Sequence, residues 1–165
     1  MERLTEIANR VGTDKGTACD DSHGYTEFYQ KFFEKYKEPN ILEIGTYLGR
    51  SAKMFEDFYG EKCKIYTCDI VPSEEYIKDV NTAEFIQVDE SRGDSLFALR
   101  EKLSGIKFDI IIDDASHIWQ DQFNGLTALH SMLSENGIYV LEDLHYSRLY
   151  GNDPYVVCQC PLFFL

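Results

Sequence analysis

Five short apolar runs, spaced by segments of helical periodicity, restrict this chain to a small set of folds. The runs are rich in Ile, Val, Tyr and Phe, are mostly continuous rather than alternating, and lead into an acidic residue or a glycine. Runs of this kind are typical of strands that are covered on both faces. The predicted strands are Ile41–Ile44, Ile65–Cys68, Phe85–Val88, Phe108–Ile112 and Ile138–Leu141.

The segments between these runs repeat apolar residues at helical spacing. Strands that alternate with helices predict βαβ units with right-handed crossovers and a mostly parallel sheet with helices on both faces. We expect Asn136-Gly137 to end the last of these helices as a glycine C-cap. The apolar positions that define the helices are Met54, Phe55, Phe58 and Tyr59; Leu96, Leu99 and Leu103; and Phe123, Leu126, Leu129, His130 and Leu133.

An aromatic stripe precedes the first strand, and we interpret it as a helical packing face rather than a ligand site. Its members are Tyr25, Phe28, Tyr29, Phe32, Phe33 and Tyr36. The length of 165 residues fits one domain. Within it we predict an N-terminal helical and lid segment over residues 1–39, a Rossmann-like core over residues 40–147 and a short tail over residues 148–165.

The composition limits the classes of partner that we expect for this protein. A net charge of -13 argues against a nucleic-acid-binding face, because such faces concentrate Lys and Arg, and it favours metal ions or small cationic ligands. There is neither a signal-peptide pattern nor an apolar run near 18 residues, so we expect no membrane partner. The five cysteines lack CxxC spacing, and reduced thiols in a cytoplasmic protein are expected.

A glycine turn follows the first strand, where open parallel sheets bind their ligands. The segment from Glu43 through Gly45, Tyr47 and Gly49 to Ser51 matches neither the dinucleotide pattern GxGxxG nor a P-loop. By itself, this segment is as consistent with a plain tight turn between strand and helix as with a ligand-binding loop. Asp69 ends the second strand, 24 residues after Gly45, where a carboxylate can accept hydrogen bonds from both ribose hydroxyls.

The strongest cluster of chemistry-bearing residues follows the fourth and fifth strands. Asp113 and Asp114 end one, Glu142 and Asp143 end the other, and neighbouring strands lie about 5 Å apart. Like charges this close favour a hard cation such as Mg²⁺. The alternative is that two of the acids cap helices or face solvent. His117 could act as a base, with His145 as a competitor for that role.

Five motifs together resemble the metal-dependent sugar O-methyltransferases of macrolide biosynthesis, the mycinamicin and demethylmacrocin type. The resemblance implies a class I S-adenosylmethionine (SAM) methyltransferase fold, Mg²⁺ on Asp114, Glu142 and Asp143, and His117 as base. It implies that Glu43, Gly45 and Asp69 surround SAM. The family usually has Gly where this chain has Ala115. The motifs are Gly12–Gly16, His23–Tyr25, Ile41–Gly45, Asp113–His117 and Leu141–His145.

The resulting expectation is SAM-dependent, Mg²⁺-assisted methylation of a hydroxyl group on a small, sugar-like or polyol-like molecule. Two alternatives stay open: a catalytically impaired module that binds the nucleoside, and a metal-dependent hydroxylase or hydrolase on the same scaffold. The full set of residues predicted to contact the cofactor is Glu43, Gly45, Tyr47, Gly49, Ser51, Asp69, Asp89 and Asp113.

The C-terminal part departs from this family's pattern. Class I methyltransferases normally add two strands after the fifth, whereas 22 residues follow Asp143, so we expect truncated C-terminal strands. The fifth strand would then be a sheet edge, which proteins normally cover. The tail could supply one strand, a second copy could cover the edge in a homodimer, or the chain could be a shortened, impaired family member.

Overall fold

The computed structural model describes residues 3–144, and its centre is a five-stranded parallel sheet. The strand order is β3-β2-β1-β4-β5, with every neighbouring pair parallel. The prediction of a parallel α/β sheet is therefore confirmed. The strands are β1 (Asn40–Ile44), β2 (Lys64–Asp69), β3 (Ala83–Gln87), β4 (Phe108–Asp113) and β5 (Leu133–Leu141).

Helices cover both faces of the sheet. One buried cluster joins α1, α2 and α3 to the side chains of Ile41, Ile65 and Ile110. The other joins α4 and α5 to Leu42 and Ile111. Adjacent residues of one strand thus enter opposite cores, which is why the strands read as continuous apolar runs. The helices are α1 (Leu4–Val11), α2 (Tyr25–Phe33), α3 (Arg50–Tyr59), α4 (Gly93–Lys102) and α5 (Trp119–Leu129), with 3₁₀ turns at Glu74–Ile77 and His130–Met132.

The N-terminal helices pack as the aromatic stripe predicts. Tyr29 and Phe33 on α2 are buried, and Tyr29 stacks against Phe33 with ring centroids 4.7 Å apart. The preceding helix α1 lies within the predicted N-terminal helical segment, although no apolar spacing had been assigned to it. Its buried residues Leu4 and Ile7 join the same core. The stripe is therefore a packing face, although Tyr29 also has a polar role described below.

The prediction that Asn136-Gly137 caps a helix is wrong. Helix α5 ends at Leu129, and Gly137 lies inside β5. Pairing between β4 and β5 shifts between Phe108 and Ile110, and a Cβ on Gly137 would lie 2.7 Å from the carbonyl oxygen of Phe108. The glycine is needed because two strand backbones approach closely at an irregularity, a role that produces the same local signal as a helix cap.

The buried face of α5 also differs from the predicted one. Leu129 is buried as predicted, but Phe123 is 56% exposed, and the helix buries Gln122 and Gly125 in addition. Gly125 lies against the carboxyl group of Glu90, where a Cβ would be 2.8 Å from Oε1. The close approach of Gly125 to Glu90 and the hydrogen bond from Gln122 Nε2 to the carbonyl of Glu142 at 2.8 Å both lie on the buried face, and apolar spacing alone does not reveal either of them.

At the far side of the sheet, β5 pairs with β4 and is the last strand among residues 3–144. The tail, the predicted covering strand or homodimer, His145, Cys158 and Cys160 all fall outside the described residues. Within the described range Cys19, Cys63 and Cys68 are free thiols. None of the helices in that range combines the length and apolar character that crossing a membrane requires. The subdivision of the chain into three segments stays a prediction.

Candidate active site

A cavity of about 530 Å³ opens at the carboxyl ends of the central strands, beside the point where the chain switches from β1 to β4. Ligands in open α/β sheets bind at this position. Four of the predicted cofactor residues, Gly45, Tyr47, Asp69 and Asp89, line it, and so do Asp114 and His117. The other lining residues are Asp14, Ile44, Ile70, Val88, Glu90, Ser91, Ala115, Ser116 and Asp121.

The turn after β1 requires glycine at its first position. Gly45 has φ of 103°, and a Cβ on it would overlap the carbonyl of Asp114. The turn therefore runs directly across the end of β4, with backbone rather than side chain forming this part of the cavity wall. Gly49 also has positive φ, but it precedes α3 and packs against the backbone of Tyr76, so its role is in the turn.

Asp69 organises this turn through its carboxylate. Oδ2 accepts hydrogen bonds from the backbone N–H of Thr46 at 3.0 Å and of Tyr47 at 2.9 Å. Oδ1 accepts one from the N–H of Val71 at 3.0 Å. Tyr47 itself has φ of 45° and a side chain that is 76% exposed at the cavity mouth. The acid after β2 thus fixes the loops on both sides of the cavity.

Glu43 and Ser51 lie below the turn. Glu43 is fully buried, and neither of its carboxylate oxygens has a hydrogen-bond partner among residues 3–144. Burial raises the pKa of Glu43 to about 7, although the Lys15 ammonium and the nearby Ser51 hydroxyl pull it down. Glu43 is not among the residues that line the cavity, so its unpartnered oxygens lie behind the cavity wall.

Asp113 and Glu90 form a pair of buried acids at the cavity wall. Asp113 is fully buried and accepts a hydrogen bond from the hydroxyl of Tyr139 at 3.4 Å. Burial and the neighbouring Glu90 raise the pKa of Asp113 well above its usual value. Asp113 therefore lies behind the cavity, whereas Glu90 and Asp89 reach its surface, where Asp89 also accepts a hydrogen bond from the Ser91 hydroxyl at 2.6 Å.

The acids that follow β4 and β5 converge with His117 at one side of the cavity. His117 Nε2 lies 3.1 Å from Asp114 Oδ1, and His117 Nδ1 lies 3.7 Å from Asp143 Oδ2. One potential ligand atom from each of the three residues falls within a span of 4.8 Å. His117 and Asp143 both have positive φ, 58° and 53°. Backbone strain at non-glycine residues is concentrated at functional sites.

Lys15 connects Asp114 to Glu142. Its ammonium contacts Asp114 Oδ2 and lies 2.7 Å from Glu142 Oε2. Glu142 Oε1 accepts a hydrogen bond from the hydroxyl of Tyr29. Burial would raise the pKa of Asp114, but the hydrogen bond from His117 and the charge of Lys15 outweigh it and lower the pKa. Burial raises the pKa of Glu142 to about 8 despite the opposing effect of Lys15.

The loop that precedes α2 completes the surroundings of Asp143. The hydroxyl of Tyr25 donates to Asp143 Oδ1 at 2.5 Å, and His23 Nδ1 lies 3.3 Å from the same oxygen. The hydrogen bond with Asp114, opposed by partial burial, raises the pKa of His117. The carboxylates of Asp114 and Asp143 are oxygen donors of the kind that a hard divalent cation uses, so the residues present fit a metal ion.

Two curated proteins match most of this chain in sequence. It is 29% identical over 150 residues to mycinamicin VI 2''-O-methyltransferase of Micromonospora griseorubida and 30% identical over 155 residues to demethylmacrocin O-methyltransferase of Streptomyces fradiae. Each alignment covers 86% of this chain but 36% of the relative. The chain thus spans little more than a third of the length of these relatives. No protein-family model matches it.

Comparison with solved structures agrees with the sequence matches. The MycE methyltransferase from the mycinamycin biosynthetic pathway, in complex with Mg and SAH (S-adenosylhomocysteine), superposes with a TM-score of 0.78 at 26% identity, over 90% of this chain and 41% of that one. A complex of MycE with Mg, SAH and mycinamycin VI gives the same TM-score over 39% of that chain. The chain has the class I methyltransferase fold and resembles the macrolide sugar O-methyltransferases. The resemblance read from the five motifs is confirmed.

Several residues around the acids were not predicted as site residues. Lys15, His23, Tyr25 and Tyr29 all contact Glu142 or Asp143. The sequence did carry a signal for three of them, because Gly12–Gly16 and His23–Tyr25 belong to the motifs of the resemblance. Tyr29 was assigned to packing alone, since its position in an aromatic stripe gives no hint of a hydrogen bond to a carboxylate.

Proposed function

We propose that this chain binds SAM in the cavity at the carboxyl ends of the strands and transfers its methyl group to a hydroxyl of a small sugar-like or polyol-like acceptor, assisted by Mg²⁺. The observation that carries the proposal is that the cavity and the acidic cluster are continuous with each other. The cavity beside Gly45 and the cluster of Asp114, His117 and Asp143 share one wall, so a nucleoside and an acceptor bound there would be adjacent.

Four residues of the cavity wall are assigned to the nucleoside. Asp69 would receive the ribose hydroxyls and Asp89 would face the adenine, while the backbone at Gly45 and Tyr47 permits close approach. The other four predicted cofactor residues would support this wall without lining the cavity. They are Glu43, Gly49, Ser51 and Asp113. The SAM sulfonium supplies an electrophilic methyl group, so the protein has mainly to align it with the acceptor oxygen.

The acids after β4 and β5 are assigned to the cation. Asp114, Glu142 and Asp143 would hold Mg²⁺, which lowers the pKa of a hydroxyl that binds to it. The backbone of Asp143 is held in a positive-φ conformation, and its carboxylate is fixed by Tyr25. The three carboxylates are therefore presented from a rigid surface, which favours binding without a large ordering cost.

His117 is assigned as the general base. It lines the cavity, and its two ring nitrogens lie next to Asp114 and Asp143, so both acids orient the imidazole. A histidine held in this way can take the proton from an acceptor hydroxyl at the cavity wall.

Calorimetry with SAH and SAM, each with and without Mg²⁺, followed by methyl transfer to a panel of sugar and polyol acceptors, tests the proposal. We expect nucleoside binding, and Asp114→Ala should abolish Mg²⁺ binding while SAH affinity without metal is kept. His117→Ala should lower turnover by at least a hundredfold with SAH affinity kept. Asp94→Ala, an exposed acid paired with Arg92 on α4, serves as the control.

The outcomes separate the alternatives. Nucleoside binding with no transfer to any acceptor would favour the impaired binding module. Absence of SAM and SAH binding would refute the methyltransferase proposal and leave the metal-dependent hydroxylase or hydrolase. Unchanged Mg²⁺ affinity in Asp114→Ala would refute the ligand assignment. A cytoplasmic location and a homodimer that covers β5 complete the proposal, and sedimentation of the full chain tests the dimer.

A further inference from the structure

Lys15 is the one lysine or arginine side chain that is buried within residues 3–144, with 2% of it exposed. It lies in the loop between α1 and α2, far in sequence from the strand ends that it contacts. A desolvated ammonium is costly unless it is paired, and this one is paired with two acids that belong to different strand ends. Its location therefore needs an explanation beyond folding of the loop.

The backbone holds Lys15 in place from both sides. Its carbonyl accepts a hydrogen bond from the N–H of Thr26 in the first turn of α2 at 3.0 Å. The N–H of Gly16 bonds back to Thr13 at 3.2 Å, and the N–H of His23 bonds to Asp14 at 2.8 Å. The loop is thus closed by its own main chain. The ammonium is delivered by an anchored segment rather than by a free side chain on the surface.

Both acids are engaged at both of their oxygens. Asp114 uses Oδ1 toward His117 and Oδ2 toward Lys15. Glu142 uses Oε1 toward Tyr29 and Oε2 toward Lys15. Each carboxylate oxygen has a second lone pair that these contacts leave free. The orientation of both groups is therefore fixed before any cation arrives, and the distance between them is set by a single nitrogen atom.

We propose that Lys15 is a positioning residue of the metal centre: its ammonium holds the carboxylates of Asp114 and Glu142 in the arrangement that presents their remaining lone pairs to the divalent cation. The inference rests on the proposed function, which places the cation on these acids. Residues that orient metal ligands without touching the metal commonly change metal affinity tenfold to a hundredfold when they are replaced.

The test uses Mn²⁺ as the probe, titrated into the full chain and followed by electron paramagnetic resonance, with SAH affinity measured separately without metal. Lys15→Met should weaken Mn²⁺ binding by about tenfold or more and change the spectrum of the bound ion, with SAH affinity kept. Lys53→Met is the matched control, because Lys53 also pairs with two acids, Glu56 and Asp57, but on α3. It should leave Mn²⁺ affinity unchanged.

Tyr29→Phe provides a second, milder variant, because it removes the hydroxyl on Glu142 and keeps the ring that stacks on Phe33. It should weaken Mn²⁺ binding severalfold, and it decides the question if Lys15→Met fails to fold. Unchanged or tighter Mn²⁺ binding in these variants overturns the inference, and tighter binding in Lys15→Met would mean that the ammonium competes for the cation's place. Absence of Mn²⁺ binding to the unmodified chain would instead refute the proposed metal site itself.

Discussion

Replacement of Glu43 by Gln should make the stability of the protein less dependent on pH. Glu43 is fully buried, and burial raises its pKa from 4.5 to about 7. The unfolded chain therefore loses this proton at a lower pH than the folded chain does. Because the folded state binds more protons between these two values, stability falls as pH rises from about 4.5 to about 7.

The size of the effect follows from the shift in pKa. A displacement from 4.5 to about 7 corresponds to about 3 kcal/mol, most of which is lost between about pH 5 and pH 8. Gln also places an amide where neither carboxylate oxygen has a partner among the described residues, which costs about 1–3 kcal/mol. That second cost does not change with pH, so the two contributions can be separated.

Urea unfolding of both proteins at a series of pH values, with chelator present, measures the difference. The free energy of unfolding of Glu43→Gln minus that of the parent should increase by about 2–3 kcal/mol from about pH 5 to pH 8. Other titrating groups cancel in this comparison. A difference that stays constant across this range would show that Glu43 is ionised in the folded protein at an ordinary pKa, and the argument that burial neutralises this carboxyl group would fail.

Two further substitutions test the geometry of the cavity wall. Gly125→Ala places a Cβ 2.8 Å from Glu90 Oε1 and should lower the free energy of unfolding by about 1–3 kcal/mol, even though Ala gains up to about 1 kcal/mol in helix propensity. Gly93→Ala on α4 is the control, because a Cβ there has nothing within 4 Å, and it should be neutral or stabilising in the same urea assay. Asp69→Asn replaces an oxygen acceptor that holds the turn at Tyr47 and should weaken SAH binding about tenfold or more by calorimetry, and unaltered affinity would remove Asp69 from the nucleoside site.

The strands and the acidic ends of β4 and β5 could be predicted because both depend on local sequence. An interior parallel strand must be apolar on both faces, so Ile110 and Ile111 record their burial directly in the sequence. Parallel pairing then brings the following acids to one edge, and the observed order of β4 next to β5 does so. The acids themselves are polar residues directly after apolar runs, which makes them conspicuous.

Features that depend on contacts between distant segments could not be predicted from local sequence patterns. Gly137 resembles a helix cap locally, and only the approach of Phe108 explains it. The buried face of α5 includes Gly125, which packs against Glu90, 35 positions earlier in the chain. Lys15 pairs with Glu142 across 127 positions, and the Gly12–Gly16 motif that contains it marks the segment without showing that the lysine will be buried. Patterns within one element cannot encode these pairings.

Lys15 also refines the argument that repulsion between the acids calls for a cation. The sequence places several carboxylates in one crevice, and the structure shows that the chain supplies one cation of its own to them. A single ammonium cannot balance Asp114, Glu142 and Asp143 together, and Asp143 is left with a tyrosine hydroxyl and two histidines as its neighbours. Lys15 contacts Asp114 and Glu142 but not Asp143, so the carboxylate charge of Asp143 is left for another cation to balance. A divalent ion would supply that charge at the cluster of Asp114, His117 and Asp143, where Asp114 and His117 line the cavity.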